Sequence, residues 1–200
     1  MRGTLLSETQ PAPSDPEAFL AFAERQGWGD GLPLIPPTEA RVRAFVAASA
    51  RFPDEVVAEI APRNGRATVE KIAINAVMAG ARPEYLPVII AAVEAICEPR
   101  FNLYGVQATT GYVGPALLLN GPIRKALNIN CGSNCFGQGW QANATIGRAL
   151  GLMLLNVAGA KPGEMDLQGF RRVGRVVGDS DQTVAESGHQ FGCARQCRVP

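Results

Sequence analysis

The chain has 200 residues, 46% of them hydrophobic and 18% charged, a composition that buries a core and excludes a disordered chain. Nineteen Lys and Arg against eighteen Asp and Glu leave a formal net charge of +1. That balance lacks the basic surplus of a nucleic-acid binder and the polybasic patch that draws a protein to anionic lipid. His189 is the single histidine, so one chain cannot build a metal site with two His ligands.

Residues 1–14, rich in Pro, Ser and Thr, read as a disordered N-terminus. Asp15 caps a helix over 15–26, with Pro16 at its first position and Phe19, Leu20, Phe22 and Ala23 on its apolar face. GWGDGLPLIPP (27–37) holds three Gly and three Pro, which forbid regular structure and define a rigid arm. Thr38 caps a second helix over 39–50, with Val42, Phe45 and Val46 on one face. Val56, Val57 and Ile60 in the short stretch 54–62 suit helix or strand equally, and 63–66 reads as a turn. Thr68 caps a third helix that Gly80 stops, and Pro83 starts a fourth that runs to about Cys97. Leu103–Thr109 and Val113–Asn120 are rich in β-branched and aromatic residues and read as strands. CGSNCFGQG (131–139) is a glycine-rich loop ahead of a long helix over 142–158.

These elements predict an α/β (or α+β) fold: a small mixed sheet from the 103–120 region, covered by several helices near 68–80, 83–97 and 142–158. A single globular domain is expected over 15–166, followed by an atypical, poorly packed tail over 167–200. No apolar run approaches the ~18 residues of a membrane span, and the N-terminus has no secretory apolar stretch. A soluble, cytoplasmic protein is expected. Five cysteines, an odd number, fit poorly with a closed disulfide framework.

Cys131 and Cys135 stand four apart ahead of a helix, whose N-terminal field favours thiolate and raises reactivity. They are the candidate catalytic or redox thiols; two small, inert, half-buried side chains are the plain alternative. A second pair, Cys193 and Cys197, would allow zinc by spacing, with His189 as a further ligand, but the tail is a weak scaffold and no metal is expected. Gly137-Gln138-Gly139-Trp140-Gln141-Ala142 fits a G-x-G-x-x-A pattern. It lacks the strand before it and the acid about twenty residues after it that a dinucleotide site requires. It suits a phosphate or carboxylate at a helix N-terminus, with Asn143 and Arg148 contributing, unless Asn143 merely caps the helix. Trp28 and Asp30, on the 28–37 arm, complete the candidate ligand-binding set, in a pocket between that arm and the 131–148 loop and helix. Glu70 falls in the first turn of a helix, where the dipole alone accounts for an acid. No cofactor is named by any motif.

The blocks GWGDGLPLIPPTEARV (27–42), ATVEKIAINAVMAGARPEYLPVIIAAVEA (67–95), FNLYGVQATTGYVGPALLLNGPI (101–123) and FGQGWQANATIGRALGLMLLNVAGAKPGEMD (136–166) carry a resemblance. Together they resemble the companion domain of the bacterial UGSC-type (seleno)protein family. The redox motif of those partners, Cys-Gly-Ser-Cys, is absent, since Cys131-Gly132-Ser133-Asn134-Cys135 has one residue too many. The resemblance implies an enzyme system and an accessory or substrate-handling role. Two functions are therefore expected: an enzyme or enzyme subunit handling a small, anionic molecule with thiol redox chemistry, or a non-catalytic subunit that docks on a UGSC-type thiol or selenol protein.

Overall fold

The computed structural model of the chain describes residues 3–110 and 113–162 and the backbone of 176–178. The described residues form a small mixed α/β fold of seven α-helices and two two-stranded sheets. The helix α1 (Pro16–Arg25) starts on Asp15, whose carboxylate accepts the Ala18 N–H at 2.8 Å. It ends at Gly27, where φ of +70° lets Gly27 N–H donate to Glu24 and Trp28 N–H donate to Ala23. A side chain there would be strained, so glycine sets where Trp28 leaves the helix. The helix α2 (Glu39–Ser49) follows Thr38, whose side chain makes no capping hydrogen bond.

The stretch that suits helix or strand equally is β1 (Val56–Ile60), antiparallel to β2 (Gly65–Thr68), with Ile60 opposite Gly65 and an irregularity between Val56 and Ala58. Thr68 accepts the Lys71 N–H at 3.2 Å and opens α3 (Val69–Met78). A 3-10 turn over Pro83–Tyr85 leads into α4 (Leu86–Ile96). Both α3 and α4 are buried along most of their length, which their near-continuous apolar sequence requires.

Two expectations for 103–120 are corrected. Leu103–Thr109 is no strand but the short helix α5 (Leu103–Ala108), opened by Asn102, whose side chain accepts the Gly105 N–H. Of Val113–Asn120 only Leu117–Leu119 is a strand, β3, because Pro115 has no N–H to give a ladder. The antiparallel sheet therefore lies at 56–68, not at 103–120. β3 pairs in parallel with β4 (Val176–Gly178). The helix α6 (Pro122–Ala126) precedes the glycine-rich loop, and α7 (Gln141–Asn156) packs along α3 with Ile146, Ala149, Leu152 and Met153 wholly buried.

Residues 3–14 carry no helix or strand and run as a strap over the body, tied by Leu6 and Ser7 to Glu70 and by the Gly3 carbonyl to Arg43. Apart from the backbone of β4, the tail, with His189, Cys193 and Cys197, lies outside the described residues. No helix among the described residues is long and apolar enough to cross a membrane.

Candidate functional site

Most of the residues picked out in the sequence gather at the N-terminal half of α7. Asp30 meets Arg148 across 118 residues in a two-point ion pair, with Arg148 Nε on Oδ2 and Nη2 on Oδ1, both at 2.8 Å. Arg148 Nη2 also donates to the Leu32 carbonyl at 3.1 Å. Burial pushes the Asp30 carboxyl up, but the hydrogen bonds and charge of Arg148, with the Leu32 amide, hold it below its ordinary value of 3.8. Where a ligand pocket between the 28–37 arm and the 131–148 loop and helix is expected, the arm and α7 are joined directly and the two charged groups satisfy each other.

Asn143 is buried and turns its amide to the loop. Its Oδ1 accepts the Asn130 N–H at 2.8 Å, and its Nδ2 donates to the carbonyls of Asn130 at 2.9 Å and Cys135 at 3.4 Å. The loop so held carries Cys131 and Cys135, both half-buried and both free thiols. Gly137 closes a turn by donating its N–H to the Asn134 carbonyl, and Gly139 stands at φ +113° just before α7. Phe136 is 61% exposed and Trp140 39% exposed on this loop. The start of α7 is joined to the α3–α4 turn through Gln141, which accepts from Arg82 and donates to the Gly80 carbonyl. Cys97, just past the end of α4, is a different kind of thiol: burial pushes it up to about 11.

The cavity lies at the other end. A chamber of about 740 Å³ opens between α1, α2, α3 and the C-terminal end of α7, under the strap. Phe22, Trp28, Ile74 and Met78 give it an apolar wall, with Phe22 and Trp28 packed edge to face at 5.6 Å. Among its polar side chains Glu70 and Asn75 are buried, and Asn156 is half-buried beside them. Asn156 Nδ2 donates to Asn75 Oδ1 at 2.8 Å and to the Trp28 carbonyl at 3.1 Å, while Asn75 Nδ2 donates to the Lys71 carbonyl. Glu70 is 3% exposed, and each of its oxygens accepts one N–H, from Leu6 at 2.9 Å and Ser7 at 3.0 Å.

Of the binding and catalytic candidates taken from the sequence, Trp28 lines this chamber; Asp30, Cys131, Cys135, Gly137, Gly139, Asn143 and Arg148 do not. Glu70 stands in the sequence as an acid at a helix start, with nothing to place it at a cavity. Asn75 and Asn156 are not reached from the sequence at all. The available signal is a lone amide in each of two otherwise apolar helical runs, IAINAVMA and GLMLLNVA. The rise of 1.5 Å per residue puts Gln141 and Asn156 about 22 Å apart along α7, so loop and chamber are separate places.

Among the described residues no group of three or more His, Cys, Asp and Glu gathers as a metal site. No family model, no curated protein and no solved structure matches the chain.

Proposed function

We propose that the chain is the small-molecule-binding component of a cytoplasmic enzyme system, with its ligand in the chamber between α1, α2, α3 and the end of α7. The observation that supports it is the chamber: some 740 Å³ with an apolar, aromatic wall and polar side chains that include Glu70, Asn75 and Asn156. Ligand sites are typically concave, mostly apolar and oriented by a few placed polar groups. An anionic ligand at the 131–148 loop and helix would have to displace Asp30 from Arg148. The chamber makes no such demand.

The test is binding read at the chamber wall. Trp28 and Trp140 are the two tryptophans, so Trp140→Phe leaves emission from Trp28 alone. A panel of small metabolites is screened for thermal stabilisation, where a ligand at a hundred times its Kd adds about 2.7 kcal/mol. A true ligand also shifts Trp28 emission, and Ile74→Phe, which projects a larger ring from the chamber wall, weakens both effects. A ligand indifferent to Ile74→Phe, or a panel without a binder, would contradict the reading.

A second reading draws on the other end of α7. Cys131 and Cys135 share their loop with exposed Phe136 and Trp140, a surface suited to docking a UGSC-type thiol or selenol protein. A mixed disulfide trapped between that partner and Cys131 or Cys135, lost on Phe136→Ser, would favour it.

A further inference from the structure

Glu70 is a buried carboxylate whose two oxygens are answered by the strap, not by the body of the fold. Leu6 and Ser7 are consecutive residues, and their N–H groups converge on one side chain, Leu6 on Oε2 and Ser7 on Oε1. Consecutive backbone N–H groups so arranged form a concave anion-binding pair. Among the described residues the strap is lightly held: Leu6 is 71% exposed, residues 8–14 are exposed, and its further ties include Leu5 against the core, Gly3 beside Pro53 and the Gly3 carbonyl on Arg43. Were the strap to lift alone, Glu70 would exchange two fixed N–H donors for water in a largely apolar-walled chamber, which gains little. Lifting is favoured when a ligand offers Glu70 two adjacent donors better than the amides it loses, so Glu70 favours ligands that carry such a pair.

We propose that Glu70 is the anchor for a ligand bearing a planar amidinium or guanidinium head, which takes the place of the Leu6 and Ser7 amides as the strap lifts. This rests on the chamber being the ligand site and adds the ligand's chemical class. A carboxylate matches such a head with two parallel N–H···O bonds, stronger than those to neutral donors because both partners are charged. Phe22 and Trp28 line the same chamber, where an aromatic wall suits a planar cation better than an anion. The cations that share the chamber are engaged elsewhere: Arg43 with Glu39 at 2.7 Å, and Lys71 with the Arg66 carbonyl at 3.2 Å. Glu8 adds acid to the same lining. A neutral ligand with a single donor replaces at most one of the two amides, and an anionic ligand is repelled, so neither displaces the strap as a two-donor cation does.

The probe is benzamidine, with benzyl alcohol as its neutral counterpart, on the full chain carrying Trp140→Phe. Benzamidine is expected to shift Trp28 emission and to raise amide exchange at Leu6 and Ser7, and benzyl alcohol to leave both amides protected. Glu70→Gln, which keeps the shape but loses the charge, weakens benzamidine by roughly tenfold or more. Leu6→Pro gives the opposite sign without touching the chamber. Proline has no N–H to offer Glu70, so the strap competes less well and benzamidine binds more tightly. Benzamidine binding that ignores both substitutions, or that Leu6→Pro weakens, overturns the inference. If benzyl alcohol or another neutral molecule fills the chamber and benzamidine does not, the inference falls while the chamber keeps its role. If nothing binds there, both fall.

Discussion

The two ends of α7 use the same side chain for different purposes. At the N-terminal end the Asn143 amide closes on the backbone of Asn130 and Cys135, and a flexible glycine-rich segment becomes a held loop. Its cysteines and aromatics are carried at the surface. At the C-terminal end the Asn156 amide faces another amide, Asn75, and a carbonyl, Trp28, and the three border a hollow. An asparagine satisfied by the adjacent chain builds structure, whereas one satisfied by other side chains at a cavity wall can exchange those partners for a ligand. On the proposed reading, one end presents thiols and the other receives a small molecule.

The largest effect should come from the residue between them. Leu152 is wholly buried in α7, and Leu152→Ala should cost about 2–5 kcal/mol in denaturant unfolding. Amide exchange should rise at both ends together. A rise at one end alone would show that α7 does not couple them. Next comes Asn143→Ala, at about 1–3 kcal/mol, because a buried N–H and two carbonyls lose their partner. Alkylation of Cys135 should accelerate, Cys97 should stay slow because its thiol is held up near 11, and binding in the chamber should be unchanged. Asn156→Ala should cost less, about 1 kcal/mol, since Asn156 is itself only half-buried. It should shift Trp28 emission and leave the cysteine rates alone.

The smallest effect is the pH response of Asp30. Its carboxyl is depressed in the fold, so the native state binds protons less readily than the unfolded chain. The ion pair therefore contributes in full above the ordinary value of 3.8 and is lost as pH falls through the lower folded value. Arg148→Met should remove that acid-limb dependence and cost roughly 1 kcal/mol at neutral pH. An unchanged acid limb in Arg148→Met would mean that other carboxylates carry it.

The helices are legible where local chemistry decides them. Asp15 with Pro16, and Thr68 with Gly80, are start and stop signals that need no tertiary partner. Leu103–Ala108 reads as a strand because six residues are too few for a helical period to show, while Tyr104 and Val106 favour strands; Asn102 is the available clue to the helix. Val56–Ile60 cannot be settled locally, since its partner strand decides it. Asp30 and Arg148 stand out separately in the sequence as ligand-binding candidates, and their pairing with each other across the fold is not legible there. The chamber is not legible. It needs α1, α2, α3, α7 and the strap at once, and the donors to Glu70 lie 64 and 63 residues away in sequence. The helix dipole explains that acid so adequately that nothing local asks for a partner.

The central claim is that a small molecule binds at the C-terminal end of α7 and not at its N-terminal end. Amide chemical-shift mapping with the best binder from the metabolite panel tests this on the intact chain. The account predicts shifts at Leu6, Ser7, Trp28, Asn75 and Asn156, with 131–139 unmoved. Shifts confined to 131–148, with Trp28 and Asn156 silent, would contradict it.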